Sequence, residues 1–528
     1  MVDSRDMSRR TFVRLLGLGA AGSALLPLQA LAQSPPPVVD RPAFASNPFT
    51  LGVASGDPLP DGVVLWTRLA PDPLHGGGMP PHPVRVEWEV AADEGFRDVV
   101  RKGSEVADPD LGHSVHAEVN GLAPGRWYWY RFKAGSEISR AGRTRTAPPA
   151  GALVDRLRFA FASCQHYETG FHTAYHHMAS EDLDLVVHLG DYIYEGDATT
   201  GKPRMHDGPE PVSIVDYRNR HALYRSDPNL QEAHAAFPWI LTWDDHEVDN
   251  NYAGAVPQDP EVQTTQQFLA KRAAAYHVYY EMMPLRRSAM PSGPDMHLYR
   301  RLAFGSLAAF NVLDTRQYRS DQPCGDGTKA RCEAALSPEQ TMTGPEQERW
   351  VLDGLGRSQA RWNILAQQVV MAQLELAPGP DRRYSMDKWD GYVAARDRIL
   401  SFVRSRPVRN FVVLAGDIHQ NWAAELKANF DDPGSPTLGA EYIGTSISSD
   451  GDGSDTLPTT ATTLSENPHF KFFNSQRGYV RCEVTPSLWR SDYRVVPYVS
   501  RPGAPISTRA SFVTENGKPG VTPTAART

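Results

Sequence analysis

At 528 residues the chain is far longer than an average domain of about 150, so it has room for two domains or one large enzymatic domain with an appendage. Its 41% hydrophobic and 22% charged residues are a globular composition, which excludes a disordered, collagen-like or coiled-coil protein. The formal charge of −8 argues against a broad basic surface for nucleic acid, so any phosphate is bound at a local site.

Residues 1–32 read as a twin-arginine signal peptide: Ser8-Arg9-Arg10-Thr11-Phe12-Val13, an apolar stretch from Leu15 to Leu28, and the small-residue cleavage site Ala30-Leu31-Ala32. Gly17, Gly19, Gly22 and Pro27 make this stretch a poor spanning helix, so no stable membrane anchor is expected. The expected destination is the periplasm or the exterior, reached through the twin-arginine export machinery. That route carries folded chains, often with a cofactor in place. Without the signal the charge is about −10. Residues 33–47 are a Pro-rich linker.

Over 48–150, short β-type runs such as Val84–Val90 and Trp127–Phe132 alternate with turns, predicting a small all-β sandwich of fibronectin III or immunoglobulin type. Over 151–512 the pattern changes to buried apolar strands, with helical segments between, that end abruptly in polar residues. Phe159–Ala162 ends in Ser163-Cys164, and Leu185–Leu189 in Gly190-Asp191. Trp239–Trp243 ends in Asp244-Asp245-His246-Glu247, and Phe411–Ala415 in Gly416-Asp417-Ile418-His419. Ligands of such sheets lie outside the carboxyl ends of the strands, so the four ends predict one shared site. Residues 513–528 read as a C-terminal tail, and Asp450–Asp455 as a solvated acidic turn. Cys324 and Cys332 bracket a polar loop and are disulfide candidates; Cys482, in a strand-like run, reads as a buried thiol.

The donors at these ends suit two kinds of cation. Asp191 and Tyr194 are three residues apart, so one turn can aim both oxygens at one ion. A phenolate and the Cys164 thiolate, with His419 as a neutral nitrogen ligand, stabilise a trivalent transition metal. Asp417 and Asp245 form an oxygen-rich neighbouring position that selects a hard cation such as Ca²⁺ or Mg²⁺.

These motifs resemble the alkaline phosphatase D (PhoD) family of metallophosphatases. The resemblance runs from Pro48 to about Phe512 and is carried by Phe49–Pro58, Val64–Arg68, Phe161–Gln165, Gly190–Glu195, Thr242–Glu247 and Leu313–Arg319. It implies an α/β (α+β) metallophosphatase fold, a β-sandwich of two sheets flanked by helices, behind a small β domain. It also implies iron(III) held by Cys164, Asp191, Tyr194 and His419, beside Ca²⁺ bridged through Asp191 and bound by Asp245 and Asp417. His246 would sit by the phosphate. The superfamily's usual Asp-x-His opening is replaced by Ser163-Cys164-Gln165 and its Gly-His-x-His ending by Gly416-Asp417-Ile418-His419, which disfavours a zinc-zinc or manganese-manganese pair.

The expected activity is in-line attack on phosphorus by a cation-bound hydroxide or oxide. The substrates are phosphoesters: monoesters and, in addition, diesters. The alternative is a phosphodiesterase of phospholipase D type acting on phospholipids or cell-wall polymers. His246 is the candidate proton donor to the leaving group. Arg316 either grips a phosphoryl oxygen or forms a structural pair with Asp314. The protein is expected to be a monomer. A calcium-binding adhesion module would not explain the Cys, Tyr and His donors, and a serine hydrolase would need a Gly-x-Ser-x-Gly elbow, which is missing.

Overall fold

A computed structural model describes residues 36–377 and 379–526. The signal peptide, with Arg9 and Arg10, lies outside the described residues. Among the described residues no helix is long and apolar enough to cross a membrane.

Two large mixed sheets face each other. One has ten strands, and at its centre Leu157–Ala162, Leu185–His188 and Pro238–Leu241 run parallel. The other has seven strands around the parallel Ala308–Val312, Trp362–Ala366 and Phe411–Ala415. Each central strand is apolar at nearly every position because both of its faces are covered. Phe159, Val187 and Ile240 meet Phe310, Ile364 and Val412 between the sheets. Alternate residues such as Val186 and Leu241 pack outward against the helices Ile214–Arg225 and Thr265–Met282, whose first turns are fixed by the capping boxes Ser213/Asp216 and Thr264/Gln267. Leu365 and Val413 pack outward against Gly344–Arg357 and Val393–Ser405. The order of layers is helices, sheet, sheet, helices.

The strands of 48–150 do pack as two layers, with Val53, Val63 and Val115 against Val86, Tyr130 and Phe132, but one layer is shared with the rest of the chain. Val53–Leu59, Gly62–Arg68 and Ser114–Asn120 extend the ten-stranded sheet, with Ser55 and Gly56 in register with Pro238 and Trp239. Only Val84–Ala91, Val99–Ala107, Trp127–Ala134, Glu137–Ile138 and Gly142–Arg145 form a separate five-stranded sheet. Alternating strands look the same in sequence whether their sheet closes on itself or continues into a neighbour. Part of the linker is also ordered: Val39 donates to the Pro83 carbonyl (2.8 Å) and accepts from the Arg85 amide (3.0 Å).

As far as residue 526, the tail expected at 513–528 belongs to a hairpin of the ten-stranded sheet. Ser507–Glu515 pairs with Lys518–Thr524 around Asn516-Gly517, with Gly517 at φ 77°. Asn-Gly is a strong hairpin signal, and Phe512 and Val521 enter the core between the sheets.

Several histidines outside the expected ligand set are buried, His188 among them at the end of its strand. Burial lowers His116 to about 4 and His172, His188 and His221 to about 3. The unfolded chain therefore binds more protons than the folded one below about pH 6.5, and stability falls as pH drops from there towards about 4. Each residue contributes up to about 1.4 kcal/mol per pH unit in that window. Urea unfolding at pH 7.5 and pH 5 should show the loss; equal stability would contradict the neutral state of these rings.

Candidate metal centre

Five strands end at one place. Leu157–Ala162 delivers Cys164, Leu185–His188 delivers Asp191, and Pro238–Leu241 delivers Asp244 and Asp245 from the ten-stranded sheet. Phe411–Ala415 delivers Asp417 and His419, and Ala308–Val312 delivers Arg316, from the facing sheet. The turns are tight: Cys164, Asp191, Asp417 and His419 all have positive φ, at 59°, 56°, 64° and 56°. Such left-handed backbone in non-glycine residues costs energy and gathers at functional sites. Gly190 (φ 111°) lets two loops touch, since a Cβ there would collide with the Asp244 amide nitrogen.

The donors of Cys164, Asp191 and His419 lie within 4.8 Å of one another. The Tyr194 hydroxyl joins them, donating to Asp191 Oδ2 (2.8 Å), 3.1 Å from His419 Nε2 and 2.7 Å from the Ser449 hydroxyl. Two further triplets of donors, Asp191/Asp245/His246 and Asp244/Asp245/Asp417, continue the cluster. All six residues expected as ligands are therefore neighbours.

Burial, and then the charge of Asp191, pushes the Cys164 thiol and the Tyr194 phenol well above their usual values. Burial likewise raises Asp191 and Asp244 to about 7. Asp191 Oδ1 and Asp244 Oδ2 are buried without a hydrogen-bond partner. Buried anionic donors with unspent lone pairs are the signature of a site completed by cations. A thiolate, a phenolate, an imidazole and a carboxylate fit a trivalent transition metal, and the carboxylates beside them fit a hard divalent ion.

The guanidinium of Arg316 does not pair with Asp314. Arg316 is fully buried, and its guanidinium donates to Asp244, to Asp387 (2.7 Å) and to Asp417 (3.1 Å), with Asp245 at 3.5 Å. Asp314 instead accepts the backbone amides of Arg316 and Gln317 (3.0 and 2.9 Å). Arg316 is thus the central counter-ion of a carboxylate cluster. Burial alone would raise Asp245, but Arg316 and His246 outweigh it and hold its carboxyl low.

His246 donates from Nδ1 to Glu195 (2.8 Å) and stacks on Tyr194 with centroids 4.1 Å apart. Burial opposes its protonation, yet Glu195, Asp245 and Asp191 together raise it well above the ordinary histidine value.

Several supporting residues were not singled out by the sequence. Glu247 accepts the amides of Asp191 (3.1 Å), Tyr192 (2.6 Å) and Asp244 (2.8 Å), tying two ligand loops together. Asp387 and Lys388 meet Arg316, Arg319 and Asp417. Asp450 is exposed, as a solvated turn predicts, but it also holds His419 Nδ1 at 2.7 Å, which leaves Nε2 facing Tyr194. His166, Glu168 and His206 form another close set of donors, but both nitrogens of His206 are engaged, by the Gly196 carbonyl and the Tyr224 hydroxyl.

A family model described as a PhoD-like phosphatase matches residues 159–493, and one described as the N-terminal domain of PhoD-like phosphatases matches 32–148. The protein is therefore an enzyme of the phosphatase class. It is 56% identical over 485 residues to alkaline phosphatase D of Bacillus subtilis (strain 168), covering 91% of this chain and 83% of that protein. A solved structure described as PhoD superposes with a TM-score of 0.90 at 55% identity, covering 92% of this chain and 94% of the other. The chain belongs to the PhoD-like phosphatase family.

Proposed function

We propose that the protein is an exported, metal-dependent alkaline phosphatase of the metallophosphatase fold that also cleaves phosphodiesters. The residues that hold its ions are Cys164, Asp191, Tyr194 and His419 for iron(III), and Asp191, Asp245 and Asp417 for Ca²⁺. The observation that carries this reading is the meeting of a thiol, a phenol, an imidazole and a carboxylate beside a second group of carboxylates, with buried oxygens left unpaired. When bound, the ions supply Lewis acidity and an activated water at phosphorus.

The chain's own residues do the rest. Glu195 fixes the ring of His246 through Nδ1, leaving Nε2 to donate a proton to the departing oxygen. Arg316 holds the Asp245 carboxyl low and pairs with Asp417 without reaching solvent. Asp450 fixes the tautomer of His419.

His246→Ala should slow esters with poor alkyl leaving groups by about 10²–10⁴-fold and p-nitrophenyl esters far less, since a phenolate needs little protonation. Glu195→Gln should show the same bias to a smaller extent. Equal slowing of both ester classes would assign His246 to phosphate positioning instead. Aryl monoesters, aryl diesters, phosphatidylcholine and nucleotides, assayed side by side, test the substrate class; activity confined to phosphatidylcholine would favour the phospholipase D type. For export, Arg9→Lys with Arg10→Lys should leave active, unprocessed precursor in the cytoplasm, and normal processing of that variant would refute the route.

A further inference from the structure

Cys324 and Cys332 are joined by a disulfide that closes a short loop, and that loop is built against one half of the metal centre only. Inside it, Thr328 and Lys329 pair with Ser385 and Tyr384, and the Met386 amide donates to the Gly327 carbonyl (2.9 Å). Arg331 lies over the Tyr384 ring at 3.8 Å, and Cys324 packs against Ala335, Tyr384 and Met386. The next two residues are Asp387, which accepts from Arg316 and Arg319 at 2.7 Å each, and Lys388, which donates to Asp417. A second arm runs through Asn251. Its side chain donates to Asp326 inside the loop (3.2 Å), while its amide donates to Asp245 (2.7 Å).

The other half is held differently. The hydrogen-bond partners of the Cys164, Tyr194 and His419 side chains are Ser163, Asp191, Ser449 and Asp450 and one another, from segments outside this loop.

We infer that the Cys324–Cys332 disulfide is a redox-controlled clamp that sets the affinity of the Asp245/Asp417 half for a divalent cation and leaves the Cys164/Tyr194 half untouched. The inference rests on the metal-dependent reading above. The two halves then mature separately: the thiol side while Cys164, which is buried, stays reduced, and the carboxylate side once the half-exposed pair is oxidised. Oxidation removes two electrons and two protons from the two thiols and passes them to a disulfide oxidant, which leaves as a dithiol. Dithiothreitol reverses this, breaking the S–S bond to two thiols while it closes to its own cyclic disulfide.

The test uses iron-loaded enzyme titrated with Ca²⁺ alone by calorimetry, before and after reduction by dithiothreitol, and in Cys324→Ser/Cys332→Ser. Calcium affinity should fall on the order of tenfold, the usual scale for losing an outer support of a metal site. The visible iron–phenolate band should stay unchanged, and hydrogen exchange should quicken at 384–388. Asp326→Ala, with the disulfide intact, should give a smaller loss of calcium affinity by releasing Asn251. Unchanged affinity after reduction overturns the clamp while leaving the metal-dependent reading standing. Joint loss of the iron band also overturns it, because the two halves would then not be separable. Native enzyme that takes up no Ca²⁺ overturns both.

Discussion

Arg316→Met is expected to cost about 3–5 kcal/mol of stability, because it strips the shared counter-ion from buried carboxylates rather than removing a balanced pair. Asp244, Asp245, Asp387 and Asp417 all face the guanidinium, and Asp387 keeps Arg319 and Lys388 while Asp244 has no other ion pair among the described residues. Divalent cation should recover part of the loss, so the variant's unfolding midpoint should depend on Ca²⁺ more steeply than the wild type's. A phosphoryl-gripping arginine would behave otherwise. Its loss would raise KM with little effect on stability, and that pattern would contradict the counter-ion role.

Tyr194→Phe and Cys164→Ser should each directly damage the half of the centre proposed to hold iron. The phenol oxygen lies at the meeting point of Asp191, His419 and Ser449, so its removal takes away a donor and three contacts while leaving the packed ring in place. Activity should fall by more than the ~10–100-fold that outer-shell changes cost. Tyr194→Phe should also abolish the visible charge-transfer band. A variant that keeps both colour and rate would remove Tyr194 from the site.

The meeting of the expected ligands at one place was legible in the sequence because strands buried on both faces are almost wholly apolar, so the polar residues after Ala162, Leu189, Trp243 and Ala415 stand out. Their supports were not. Asp387 and Lys388 follow a two-residue strand too short to show a pattern, and Asp450 sits in a Gly- and Asp-rich loop whose composition is that of any turn. The partners of Arg316 come from three distant segments, whereas Asp314 is its sequence neighbour and so was the one visible candidate. The shared N-terminal sheet was hidden for a different reason, since period-two alternation fixes which face is buried but not which strand lies alongside. The final hairpin, by contrast, carried its signal in Asn516-Gly517.

Elemental analysis and a visible spectrum of one fully active sample test the account most directly. About one iron per chain, accompanied by calcium and a phenolate charge-transfer band, is the predicted result. Zinc as the sole metal in colourless, fully active enzyme would contradict it.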